Sequence, residues 1–188
     1  MRKALFFLLA TLTAFCMNLS WIERAEAAWV AVVPIQIDDT KVERSGDLNS
    51  YYWDIMIDRF QYPEYELLQD EKVDKVLPEN GLSSFDKETL VKLLDKTEAD
   101  IVVAMRIDET NEEPVPSFNE PMVQCYMKGE FASYNRLTGK YYHKKLYYKD
   151  KMEEVLTLRT DWQQQVFASE LNRYINRTLE EKKTKSKF

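Results

Sequence analysis

The sequence predicts an α/β fold, bordering on α+β, packed as a single two- or three-layer domain. Three observations carry this expectation. The first is a helix-to-strand unit over residues 84–108. The second is the alternation β-α-β-α-β that leads into it, for which a parallel sheet is expected. The third is a long β-hairpin followed by a C-terminal helix.

The helix-to-strand unit anchors the rest. Ser83, Ser84 and Asp86 are all N-cap types, and Lys87 to Lys96 holds no Gly or Pro. Leu90, Val91, Leu93 and Leu94 form one apolar face against Lys87, Glu88, Lys92 and Asp95. Ile101 to Met105 then runs apolar without alternation. Such a run marks a strand covered on both faces.

Before this unit, Trp29 to Ile37 is the first strand, with Pro34 placing its end at an edge or bulge. Asp38 and Asp39 follow where a parallel strand would meet a ligand-facing loop. Loop capping is the favoured role for this pair. Leu48 to Phe60 is a helix whose Tyr52, Trp53, Met56 and Phe60 share a side, a stripe expected in the core. Tyr65 to Gln69 is the second strand and Asp70 to Leu77 a short helix, ended by Pro78 and Gly81.

After the unit, Asp108 to Pro121 holds three prolines and five carboxylates and is expected as a surface loop. It lacks the calcium-loop spacing. Met122 to Tyr134 and Lys140 to Asp150 form a hairpin around Gly139. Pairing about Thr138 and Gly139 sets His143 near Tyr134, away from Cys125. Thr160, Asp161, Trp162 and Gln163 read as a capping box opening the last helix. Residues 181–188 are a flexible basic tail.

Residues 1–27 read as a signal peptide. Arg2 and Lys3 form the positive region, Ala4 to Leu19 is apolar, and Ala25 and Ala27 make an A-x-A cleavage site. Phe15 before Cys16 is wrong for a lipobox, so no lipid anchor is expected, and no stable membrane anchor after cleavage. Cleavage removes three basic and two acidic residues and moves the net charge from −6 to −7. An acidic chain disfavours nucleic-acid partners. Only Cys125 remains after cleavage, so the domain, residues 28–180, must be held by its core rather than by disulfides.

No catalytic motif is present. G-x-S-x-G and H-E-x-x-H are absent, and His143 is the one histidine. Four glycines in the whole chain give no phosphate-binding loop. No cofactor and no metal site are expected. The unusual feature is the second hairpin arm, where tyrosines interleave with lysines. Alternation places Tyr141, His143, Lys145, Tyr147 and Lys149 on one face, facing outward, and Tyr142, Lys144, Leu146 and Tyr148 on the other, facing the core. The outward set is the candidate interaction surface, because tyrosine offers contact area at low entropic cost. An edge strand guarded by lysines is the bland reading of the same residues.

The stretches WVAVVPI, YELLQDEKVDKVLPENGL, LLDKTEADIVVAMRI and RLTGKYY resemble the small α/β domains of bacterial envelope proteins. That group includes the amino-terminal domain of TolB, the secretion lipoprotein CsgG and the penicillin-binding-protein activator LpoB. The chain departs from its lipoprotein members in lacking a lipobox, and Arg106 stands where those proteins often carry glycine. The resemblance implies a non-catalytic protein-binding or assembly module of the cell envelope, periplasmic or extracellular, with envelope proteins as partners. The alternatives are a module that binds glycan or anionic polymer through the hairpin, and a small carboxylate-based hydrolase.

Overall fold

The computed structural model describes residues 27–42, 45–79, 81–116, 121–153 and 156–180. The signal-peptide expectation over 1–26, Ala25 included, and the tail 181–188 lie outside these residues. Ala27 is the first described.

The fold is α/β, built on one six-stranded mixed sheet. In chain order the elements are β1 (Ala28–Val32), β2 (Gln36–Ile37), α1 (Ser45–Arg59), β3 (Tyr65–Leu67), α2 (Asp70–Asp74), α3 (Lys87–Thr97), β4 (Ile101–Val115), β5 (Met122–Asn135), β6 (Lys140–Glu153) and α4 (Leu156–Leu179). The sheet order is β3-β1-β4-β5-β6, with β2 beside β4. β1 runs parallel to β3 and β4, β2 runs parallel to β4, and β4-β5-β6 form an antiparallel meander.

Asp86 caps α3, its carboxylate accepting from Thr89 N at 2.8 Å. Glu98 ends the helix in the left-handed region at φ 58°. The chain then enters β4, where Ile101 to Met105 are all fully buried. Alternate residues feed two cores. Val30, Val32, Ile101, Val103 and Met105 pack with Tyr52 and Met56 of α1 and Phe167, Leu171 and Tyr174 of α4. Ala31, Val33, Val102 and Ala104 pack with Val73 of α2 and Leu90, Leu93 and Leu94 of α3. The molecule is therefore three-layered around β1 and β4. At roughly 1.5–3 kcal/mol for each large apolar side chain removed from water, these two faces supply the main driving force.

The structure corrects four expectations. The first strand is split: Pro34 interrupts it between β1 and β2, since it offers no N–H to the ladder. The expected acidic loop begins as strand, because β4 continues to Val115 against β5. Proline is tolerated at position 114 because β4 has no described neighbouring strand on its other side beyond Ile107. The hairpin closes through Arg136 to Gly139, with Gly139 at φ 65°, so His143 pairs with Ala132 and Tyr134 with Tyr141. Cys125 lies opposite Asp150, well along the ladder from His143. Last, α4 begins at Leu156, which puts Thr160 inside the helix rather than at its cap.

Candidate interaction surface

The helical layers cover the sheet unequally. On the α1/α4 side the hairpin buries Val123, Cys125, Met127, Phe131 and Leu146. On the α2/α3 side cover stops after Val102, Ala104, Ala132 and the partly buried Tyr134 and Tyr141. Beyond that line the same face of β4, β5 and β6 carries Arg106, Glu109 and Asn111, then Glu130, Lys128 and Tyr126, then His143, Lys145, Tyr147 and Lys149. The ladder sets these residues side by side: Arg106 faces Glu130 and Glu130 faces Lys145, while Glu109 faces Lys128 and Lys128 faces Tyr147.

One bulge makes this row possible. The register shifts between Ile107 and Glu109, leaving Asp108 as the extra residue. Arg106 and Glu109 therefore both point to the open face although they are three residues apart. In an unbroken strand Glu109 would turn toward α4.

Two linked groups of side chains result. In the first, the Arg106 guanidinium donates to Glu130 Oε2 at 2.8 Å and to Asp108 Oδ1 at 2.6 Å. Glu130 Oε1 lies 2.6 Å from His143 Nε2. Arg106 also sits over the Phe85 ring at 5.2 Å, a cation–π contact that ties this face to the loop before α3. In the second group, Lys128 Nζ donates to Glu109 Oε2 at 2.7 Å and Tyr126 Oη donates to Glu109 Oε1 at 2.8 Å. Asn111 Nδ2 donates to Tyr126 Oη at 3.0 Å. The bond from Lys128, seconded by that from Tyr126, holds the Glu109 carboxyl below its ordinary value. Glu109 in turn raises Lys128.

Of the residues singled out from sequence, Lys145, Tyr147 and Lys149 lie exposed along β6, with Tyr147 61% accessible. His143 is engaged by Glu130. Tyr141 departs from its expected outward role. Its hydroxyl donates to the Phe85 carbonyl at 2.7 Å, and its ring stacks on His143 at 6.1 Å between centroids. Burial raises its pKa. Tyr141 is thus partly a core residue, because α3 and the loop before it reach as far as the start of β6. On the opposite face Tyr142 packs against Phe131 and Tyr174. Sequence reasoning missed Arg106, Glu109, Tyr126, Lys128 and Glu130. The alternation of polar residues at 124, 126, 128 and 130 marks a one-sided strand and is the signal for Tyr126, Lys128 and Glu130; Arg106 and Glu109 depend on the bulge in β4, which no local pattern announces.

Asp38 and Asp39, at the far end of β2, close a turn. Asp38 Oδ1 accepts from Thr40 N at 3.1 Å and from Thr40 Oγ1, and Oδ2 meets Lys41 Nζ at 2.9 Å. These partners, the Thr40 hydroxyl foremost, hold the Asp38 carboxyl down at about 2. The adjoining surface depression, about 430 Å³, is lined mainly by polar residues, among them Asp39, Lys41, Glu109 and Asn111, together with Val42.

No family model and no curated protein matches the chain. Solved structures do. The chain is similar to a putative neuraminyllactose-binding hemagglutinin homolog from Helicobacter pylori, with 13% identity and a TM-score of 0.48 over 85% of this chain and 88% of that one. It is similar to the lipoprotein GNA1162 from Neisseria meningitidis, with 15% identity and a TM-score of 0.40 over 79% and 99%. It is similar to the LpoB C-terminal domain from Salmonella enterica, with 10% identity and a TM-score of 0.34 over 74% and 92%. LpoB is one of the proteins whose resemblance the sequence suggested. At these identities and TM-scores the likeness is one of overall arrangement and carries nothing about activity or partner.

Proposed function

We propose that this chain is an exported envelope protein acting as a non-catalytic protein-binding or assembly module, with residues 1–27 as a cleaved signal peptide, 28–180 as one domain and 181–188 as a basic tail. The carrying observation is the sheet face beyond α3, where β4, β5 and β6 stay paired along their length but have no described helix over them. A polar platform on continuously paired strands, with the exposed Tyr147 at its edge, has the make-up of a contact surface. Its carboxylates favour this reading over a hydrolase. Glu109 accepts from Lys128 and Tyr126, and Glu130 from Arg106 and His143, so each is held by a fixed set of donors within the face.

The test is a comparison of variants. Tyr147→Ala combined with Lys145→Ala and Lys149→Ala should weaken capture of the partner from envelope extract by more than about 1 kcal/mol, the usual mark of a contributing contact. Its melting temperature should stay near that of the parent. Undiminished capture by the triple variant would overturn the assignment of this face. Export has its own check: protein from the envelope fraction should have the intact mass of a chain starting at Ala28, and a chain still starting at Met1 would refute it.

A further inference from the structure

We infer that the partner joins the sheet as an added strand, an extended acidic segment laid along the outer edge of β6. This rests on the reading of the β6 face as the contact surface and specifies how contact is made.

β6 is the last strand in the sheet order, so among the described residues no strand lies beyond it. It pairs with β5 over fourteen consecutive residues without a register shift. Lys140 to Glu153 contains neither proline nor glycine. The backbone groups on its far side therefore form a long, regular row, which is the template that strand addition requires.

Charge selects the occupant. Nearby, Arg106, Lys128, Arg136 and Lys140 each have a carboxylate partner. Lys144, Lys145 and Lys149 are exposed and form no ion pair with any described residue. The strand holds five lysines against Asp150 and Glu153, within a chain of net charge −6. A second copy's β6 would bring an edge of the same sign, and like charges opposite one another destabilise a strand pair. An acidic strand meets complementary charge instead.

Spacing narrows the pattern further. Lys145, Tyr147 and Lys149 share one face at every second residue, so the two lysines stand about 14 Å apart with the tyrosine between them. The complementary segment reads acid, any residue, apolar, any residue, acid.

The experiment titrates the exported chain with a synthetic peptide carrying a Glu-Thr-Val-Thr-Glu core, followed by amide NMR. Two further peptides carry N-methyl groups on one or the other set of alternate backbone amides. Strand addition uses only one set. Methylating that set should weaken binding at least tenfold, and methylating the other should leave it nearly unchanged. Shifts should centre on residues 143–149, and Lys145→Glu with Lys149→Glu should abolish them at an unchanged melting temperature. Equal tolerance of both methylated peptides, with alginate competing as well as the peptide does, would overturn strand addition in favour of a simple polyanion surface. Absence of any shift at millimolar peptide would overturn it too. In either case the envelope-capture comparison still decides independently whether this face is a contact surface.

Discussion

The two halves of β4 make a natural comparison. Ile101 to Ile107 is sandwiched, with helices on both sides and every side chain but Arg106 buried. Glu109 to Val115 belongs to the same strand and pairs with the same neighbour, yet only Thr110 is buried. What separates them is not strand pairing but the reach of the helical layers: α2/α3 cover stops at Ala104, and on the other face burial ends at Thr110, with Glu112 and Pro114 left unburied. A sheet segment with two covers is fixed by apolar burial. One with a single cover can give its other face to charge while its ladder remains intact.

The largest expected effect is at the heart of the covered half. Val103→Asp puts an unpaired carboxylate into the core and should cost more than about 3 kcal/mol, as buried charges without partners do. Denaturant unfolding measures it, and an unchanged midpoint would show that the strand is not doubly covered.

Next is the junction between the halves. Gly129 lies opposite Ile107, and a Cβ there would stand 2.3 Å from the Arg106 carbonyl oxygen. Gly129→Ala should cost about 1–3 kcal/mol through overpacking against rigid backbone. Hydrogen exchange should show the loss concentrated on amides near the bulge. Uniform loss across both halves would mean that the junction is not a local element.

A smaller effect is expected at Tyr52, whose buried hydroxyl donates to the Val33 carbonyl at 2.9 Å. Tyr52→Phe keeps the ring and should cost about 1 kcal/mol. A neutral result would mean the carbonyl finds another donor.

The smallest effect belongs to the open half. Lys128→Ala removes an exposed partner of Glu109, and exposed ion pairs contribute little. Its signature is pH dependence. The folded pKa of Glu109 is depressed, so its contribution is present above the ordinary value of 4.5 and is lost as pH falls through the lower, folded value. Melting temperatures of parent and variant should therefore converge in acid. A gap that widens in acid would contradict the pairing.

The covered half was legible in the sequence because burial on two faces leaves an unmistakable mark. Ile101-Val102-Val103-Ala104-Met105 could be little else, and Asp86 to Lys96 supplied its helix. The open half was misread from Asp108 onward. Two adjacent carboxylates and Pro114 break the period of two, and composition then favoured a loop. The bulge absorbs the first break and the missing neighbour absorbs the second. Both depend on strand partners far along the chain, which local pattern does not reveal. The same holds for Tyr141. Its alternation was read correctly, but how far the α3 layer extends over that face was set by Phe85, 56 residues earlier.

Asp108 has a consequence for how this molecule could change over evolutionary time. It is the one residue without an opposite number in the β4–β5 ladder. Deleting it would splice Ile107 directly to Glu109 and keep every later side chain on its present face. The platform would lose the Arg106–Asp108 contact but keep its other pairs, while the added bend and twist that a bulge imparts would vanish. One codon thus steers the direction in which the outer hairpin points, independently of what the hairpin displays. Spin labels at the hairpin's outer end and on α3 would register such a deletion as a changed distance with the Glu109–Lys128 pair intact.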